Sequence, residues 1–326
     1  MLTIGDVHIQ SKVLMAPMSG CTDWPFRVIL KGFGCRFAFF EMLDASATLH
    51  THKKTMTMLE SVKNDLPVGA QILGADPAMI VDAAEIILER AKPLILDLNC
   101  ACPARKVIRK KCGAYLLKDP KRAGKIVHKL SSALSLPITV KIRSGWDDFS
   151  TNEGLELARV AQDNGAQAVF MHGRTVKQGY EGAVDYRAIA KVKRALQIPL
   201  IASGDILSPE LAEKMFFLTD CDAILVARGA LGRPWIFGEI EAHLQGHKLA
   251  PPPSFTGIKQ LAKKHLQLYQ QWRNCQTKFI LGHLRKIAMW YFRGLPYATR
   301  IRDRITQAKT YEELLGIIDR ITLKAN

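Results

Sequence analysis

The residues in this sequence best suited to chemistry stand at the ends of short apolar runs. Those ends read Ala16-Pro17-Met18-Ser19, Glu41-Met42, Gln71, Asp97-Leu98-Asn99 leading to Cys102-Pro103, Lys141-Ile142-Arg143, His172-Gly173-Arg174, Ser203-Gly204-Asp205 and Ala227-Arg228-Gly229. Pro103 fixes the backbone beside Cys102, so this thiol can be held in one place. An ordinary cysteine thiol is mostly protonated at neutral pH, which suits a proton donor better than a nucleophile. A buried, inert thiol is the alternative reading. Lys141 emerges from the apolar run Ile138 to Ile142. A cation there either stabilises negative charge building on a bound ring or closes a structural salt bridge.

Bringing these ends together takes eight elements. The apolar runs are Val13 to Ala16, Arg36 to Glu41, Pro67 to Ile72, Leu94 to Leu98, Pro137 to Ile142, Ala168 to His172, Pro199 to Ala202 and Ala223 to Ala227. Between them, Pro77 to Ala91, Pro120 to Leu134, Glu153 to Asn164 and Pro209 to Phe217 carry apolar residues at helical spacing, several opening on Pro. Eight strand-helix units match a TIM (β/α)8 barrel, whereas a doubly wound sheet usually stops at about five to seven strands. No Gly-x-Gly-x-x-Gly follows an early strand, so the dinucleotide-binding alternative lacks its fingerprint. In a barrel the C-terminal strand ends share one mouth, and glycine turns after the last two strands form the usual phosphate site. A phosphorylated cofactor is therefore expected.

Beyond His247 the pattern changes. Pro251-Pro252-Pro253 break the chain, and helical periodicity follows over Ile258 to Gln271, Thr277 to Phe292, Tyr297 to Ala308 and Tyr311 to Ile321, with no convincing strand. Residues 1–246 thus read as the barrel and residues 247–326 as a smaller all-helical domain. That tail holds 15 Lys and Arg against 4 Asp and Glu, while the barrel holds 31 against 26. Such an excess favours a polyanionic partner, nucleic acid or an anionic surface, through counterion release. At 48% hydrophobic and 23% charged residues, a disordered, collagen-like or coiled-coil chain is excluded. No apolar run has the roughly 20 residues of a membrane helix. Seven cysteines without regular spacing read as reduced thiols, and Cys100, Cys102 and Cys112 lack the partners of a zinc set. No metal is expected.

Taken in order, the motifs resemble those of the tRNA-dihydrouridine synthase family, its bacterial B-type branch most closely. The matching stretches are Ala16-Pro17-Met18 with Thr22-Asp23 and Pro25-Phe26-Arg27, Gln71-Ile72-Leu73-Gly74, Asp97-Leu98-Asn99 leading to Cys102-Pro103, and Lys106-Val107. They continue through Gly113-Ala114 with Leu116-Leu117, Val140-Lys141-Ile142-Arg143 with Gly145-Trp146, His172-Gly173-Arg174-Thr175, Gly204-Asp205-Ile206 and Gly232-Arg233-Pro234-Trp235. The resemblance implies an FMN barrel followed by a helical tRNA-binding domain. It implies reduction of specific uridines in tRNA to 5,6-dihydrouridine with NADPH as reductant, hydride passing from reduced FMN to C6 and a proton from a cysteine to C5.

By the same resemblance, Pro17, Met18, Ser19, Gln71, Lys141, His172, Ser203, Gly204, Asp205, Ala227 and Arg228 would hold FMN, and Cys102 would donate the proton. Residues expected toward the tRNA are Asn99 and Arg174 at the mouth and Arg285, Lys286, Arg300, Arg302 and Arg304 in the basic tail. Three positions depart from the family pattern: Ala101 and Ala227 stand where glycine is usual, and Ser203 where asparagine is usual. A monomer in the cytoplasm, away from membranes, is expected. Two alternatives stay open: a flavin barrel acting on a free small molecule, which would have no need of the basic tail, and a flavin-inactive tRNA-binding protein.

Overall fold

A computed structural model describes residues 1–147, 152–273 and 278–322. Its strands, in chain order, are β1 (Leu2–Ile4), β2 (Val7–Ile9), β3 (Val13–Met15), β4 (Ala38–Asp44), β5 (Val68–Leu73), β6 (Leu96–Cys100), β7 (Ile138–Arg143), β8 (Ala168–His172), β9 (Leu200–Ser203) and β10 (Ala223–Val226). The last eight form one parallel sheet in the order β3-β10-β9-β8-β7-β6-β5-β4. The ring closes where Met15 N–H donates to Phe37 O, just before β4, at 3.0 Å. This is the expected TIM barrel, each strand lying within three residues of its predicted start.

Alternation along the strands sorts side chains between two cores. Leu96, Leu98 and Cys100 of β6, with Val140 and Ile142 of β7, pack outward in the layer between strands and helices. Leu14, Phe37, Phe39, Phe170, Ile201 and Leu225 fill the barrel floor. The β1-β2 hairpin, which the sequence reading did not anticipate, adds Leu2, Ile4 and Ile9 to this second core and plugs the barrel from below. Polar residues in the upper half of the strands therefore have one place to go, the open mouth.

Helix starts explain the Pro signals. Asp76, Asp119 and Ser208 each cap a helix whose first turn holds Pro77, Pro120 or Pro209. A proline there lacks only an N–H that the helix leaves unpaired anyway. Asp23 likewise caps the Trp24–Gly32 helix by accepting Phe26 N–H at 3.0 Å. One turn on, Arg27 is fully buried against Asp65 at 2.6 Å and donates to Thr22 O at 2.5 Å. Removing either partner would strand a buried charge, at a cost of about 3–5 kcal/mol.

Among the described residues the tail forms four helices, Phe255–Arg273, Lys278–Tyr291, Ala298–Gln307 and Tyr311–Arg320, as their periodicity predicts; Thr277 lies outside the described residues. Ala262, Leu266, Leu284, Ile287, Ile305 and Leu314 are among the residues of their separate core. The two cores meet along a tight seam. The Phe26 ring stacks on His265 at 5.4 Å and lies 5.7 Å from Trp290. A Cβ at Gly232 would lie 2.0 Å from Trp290 O, so backbone touches backbone there.

Candidate functional site

At the C-terminal ends of the strands the barrel opens into a cavity of about 430 Å³. Every expected cofactor residue lines it: Pro17, Met18, Ser19, Gln71, Lys141, His172, Ser203, Gly204, Asp205, Ala227 and Arg228. Asn99 and Cys102 join them, as do Met42, Arg143, Tyr180 and Cys21. Strands β5 to β9 deliver Gln71, Asn99, Lys141, Arg143, His172 and Ser203 to this wall.

A hydrogen-bonded chain fixes the β5 to β7 side. Gln71 Nε2 donates to Asp97 Oδ2 at 2.7 Å, Thr139 Oγ1 donates to Asp97 Oδ1 at 2.8 Å, and Asn99 Nδ2 donates to Gln71 Oε1 at 2.8 Å. The Asn99 oxygen then accepts the N–H groups of Ala101 and Cys102 at 3.1 and 2.9 Å. This side-chain turn swings the chain inward beyond β6. From the other side Arg143 Nε donates to Ala101 O at 2.8 Å. The segment carrying Cys102 is thus held by side chains at three backbone atoms. Cys100 faces the helix layer instead, and burial, with the nearby Asp97, pushes its thiol well above the ordinary range.

Burial dominates the electrostatics. It pulls the Lys141 ammonium below its usual range, an effect that Arg143 adds to and Asp97 opposes. It likewise raises the Asp97 carboxyl against the hydrogen bonds from Gln71 and Thr139. Burial drives His172 down to about 2, with the charges of Lys141, Arg143, Arg174 and Arg228 acting in the same direction. His172 is therefore neutral near pH 7, and its buried Nε2 has no hydrogen-bond partner among the described residues. A neutral imidazole atom left so in a cavity wall fits a ligand that supplies the missing partner.

The turns after β9 and β10 fit an anion. Gly204 has φ +135°, and a Cβ there would meet Val184 Cγ2 at 2.7 Å and His172 Cδ2 at 3.3 Å, so glycine is required between these two side chains. Asp205 pairs with Arg228 at 3.1 Å and with Arg174, whose hydrogen bonds hold its carboxyl below the usual range. Arg174 is buried and also donates to Gly182 O at 2.6 Å, so it ties down the loop after β8 and does not line the cavity. That loop places the Tyr180 ring 5.4 Å from Arg143 and 4.9 Å from Arg228.

The tail cations do not converge on the cavity. Arg285 Nε donates to Ala308 O at 2.9 Å, at the C-terminal end of the Ala298–Gln307 helix. Arg300 lies 6.0 Å over the Tyr297 ring, and Arg300, Arg302 and Arg304 all stand exposed. Of these five, Lys286 is the one that reaches the barrel, donating to Gly20 O at 2.7 Å. The sequence reading missed a second basic group. Arg105, Lys106, Arg109, Lys110 and Lys111 are exposed immediately beyond Cys102. Lys106 and Lys110 line a cleft between barrel and tail with Lys54, Arg273, Tyr269 and Trp272. Five cations in seven residues were the available signal.

Among the described residues no three His, Cys, Asp or Glu are grouped to hold a metal ion, and no helix is long and apolar enough to cross a membrane. The six described cysteines are free thiols.

Relatives of this chain are found among known proteins. The tRNA-dihydrouridine synthase B of Xanthomonas campestris pv. campestris is 36% identical over 97% of this chain and 94% of its own length. That of Pseudomonas putida is 37% identical over 92% of this chain and 88% of its own. Among solved structures, histamine dehydrogenase from Rhizobium sp. 4-9 superposes with a TM-score of 0.56 at 12% identity, covering 82% of this chain and 50% of that one, a likeness of fold alone. The family model for dihydrouridine synthase (Dus) matches residues 14–326. The chain therefore belongs to the dihydrouridine synthase family.

Proposed function

We propose that the chain binds FMN in the barrel mouth and, with NADPH as reductant, reduces uridine in tRNA to 5,6-dihydrouridine, Cys102 supplying the proton for C5. The observation that carries this reading is the convergence of Gln71, Lys141, the unpartnered His172 Nε2 and Cys102 on one cavity in a member of this family. Bound flavin would supply the hydride-transfer chemistry.

The residues have separable tasks. The turns at Ser203 to Asp205 and at Ala227-Arg228 would hold the phosphate, while Gln71, Lys141 and His172 would face the remainder of the cofactor and Pro17 to Ser19 would wall it in; all line the cavity. Lys141 offers positive charge where electron density grows, and His172, being neutral, serves as a hydrogen-bonding group without adding charge. Asn99 holds the Cys102 N–H and Arg143 the neighbouring Ala101 carbonyl, so the thiol would meet the substrate at a fixed position. Arg174 acts through Asp205 as a support and not as a contact to substrate.

Residues 1–246 would then carry the cofactor. Residues 247–326, together with the barrel cations at 105–111, would grip the tRNA backbone. The target base has to leave its stack, at a cost of a few kcal/mol that phosphate contacts elsewhere offset. The test is direct. Full-length protein, purified and supplied with FMN, NADPH and unmodified tRNA, should show a bound-flavin spectrum and add two hydrogens to a uridine, detected by mass spectrometry of the digested RNA. A chain that binds flavin and oxidises NADPH yet leaves the RNA mass unchanged would end the assignment.

A further inference from the structure

Gly20 is where the barrel mouth and the helical tail share a peptide. Its N–H donates to Glu41 Oε2 in the middle of β4, and its C=O accepts Lys286 Nζ at 2.7 Å from the Lys278–Tyr291 helix. The same ammonium lies 3.7 Å from Cys21 Sγ and 5.3 Å over the Trp290 ring centroid. Gly20 sits inside a tight turn. Cys21 N–H and Thr22 N–H donate to Met18 O at 3.0 and 3.1 Å, and Thr22 Oγ1 accepts Met18 N–H at 3.0 Å. Pro17, Met18, Ser19 and Cys21 of this turn form one wall of the cavity. That wall is gripped from two sides, by a barrel carboxylate and by a tail ammonium 266 positions further along the chain.

We propose that Lys286 is a positioning residue for the cofactor site, fixing the Met18–Cys21 wall so that cofactor affinity depends on the helical tail. The proposal rests on the reading of the cavity as a flavin site. A lysine in a basic tail would ordinarily serve as a phosphate contact. Here the side chain is half-buried against Trp290 and its ammonium is directed at a backbone carbonyl of the barrel. A hydrogen bond from a charged donor is stronger than one between neutral groups, and it orders the peptide that accepts it. Without it, Gly20 keeps only the Glu41 contact and the turn loses its outer anchor.

The experiment titrates FMN into flavin-free full-length protein, following flavin fluorescence, for wild type, Lys286→Met and Lys286→Arg. Binding of tRNA as a function of salt is measured on the same three proteins. Lys286→Met should weaken FMN binding roughly tenfold, as expected for one charge-assisted hydrogen bond, and leave the salt slope for tRNA unchanged. Lys286→Arg should recover most of the affinity. Should Lys286→Met fold poorly, Lys286→Gln, with neither the reach nor the charge, carries the same expectation. Unaltered FMN affinity in the Met or Gln variant overturns the proposal, and a shallower salt slope alongside it makes Lys286 a phosphate contact instead. If wild type itself binds no FMN, the cofactor reading fails first and this proposal falls with it.

Discussion

The side-chain oxygen of Asn99 accepts the backbone N–H of Cys102 at 2.9 Å. The proposed acid is thereby positioned through its main chain, which would leave the thiol free for a proton transfer. Cys102→Ala should spare flavin binding and flavin reduction by NADPH while lowering dihydrouridine formation by roughly 10²- to 10⁴-fold, the usual contribution of a placed general acid. Cys100→Ala, in the helix layer, should cost only about 1 kcal/mol of stability and keep activity. Single-turnover reoxidation of reduced enzyme by tRNA separates the two. An active Cys102→Ala with an inactive Cys100→Ala would reverse the roles.

His172 gives a pH signature with a defined sign. Its folded value, about 2, lies below the ordinary 6.5, so the unfolded chain binds a proton that the native chain refuses. The stability this group contributes is complete above pH 6.5 and is lost progressively as pH falls from there toward 2. Buried Asp23, raised to about 7, acts oppositely across the acid range, so the wild-type curve alone mixes signs. The difference between wild type and His172→Gln isolates the term. In urea unfolding of flavin-free protein, that difference should move in favour of the variant by roughly 2 kcal/mol between about pH 7.5 and about pH 5. A difference independent of pH would mean that His172 titrates normally.

Barrel and tail should unfold together. Gly232 has φ +74° and leaves no room for a methyl group beside Trp290 O. Gly232→Ala should therefore cost about 2 kcal/mol or more, combining backbone strain with overpacking at the seam. The unfolding midpoint in urea reads the loss. A variant as stable as wild type would show that the tail is only loosely apposed.

The strand ends were legible because polar residues interrupt otherwise apolar runs at alternate positions, as Asp97 and Asn99 do between Leu96, Leu98 and Cys100. The choice of Cys102 over Cys100 rested instead on the adjoining Pro103 and on the family resemblance. Alternation puts both on the same side of an extended strand, and only the turn at Asn99, after β6 ends at Cys100, brings Cys102 into the cavity. The β1-β2 hairpin escaped notice because three-residue strands carry too little pattern. Lys286 looked like any other tail cation, since its partner at Gly20 is fixed by tertiary packing and not by local sequence. Summing charge by domain likewise hid the cations at 105–111 inside a nearly balanced barrel.

Those hidden cations carry the last prediction. Lys106 and Lys110 line the cleft beside the mouth, and the exposed Lys110 to Asp44 pair, at 3.3 Å, is too solvated to hold its lysine back from a phosphate. Arg302 and Arg304 are exposed on the tail. Each cation that meets an RNA phosphate releases a counterion, so its loss should flatten the plot of log affinity against log salt by roughly 0.7 to 1. Lys106→Gln with Lys110→Gln should thus reduce the slope by up to about two, and Arg302→Gln with Arg304→Gln by a similar amount if the tail lies along the backbone. Arg285→Gln should leave the slope alone and lower stability, because its guanidinium is committed to Ala308 O. Binding measured at several salt concentrations distinguishes these cases. A slope that responds to the tail pair and ignores Lys106 and Lys110 would confine the RNA path to the helices and take the 105–111 segment out of it.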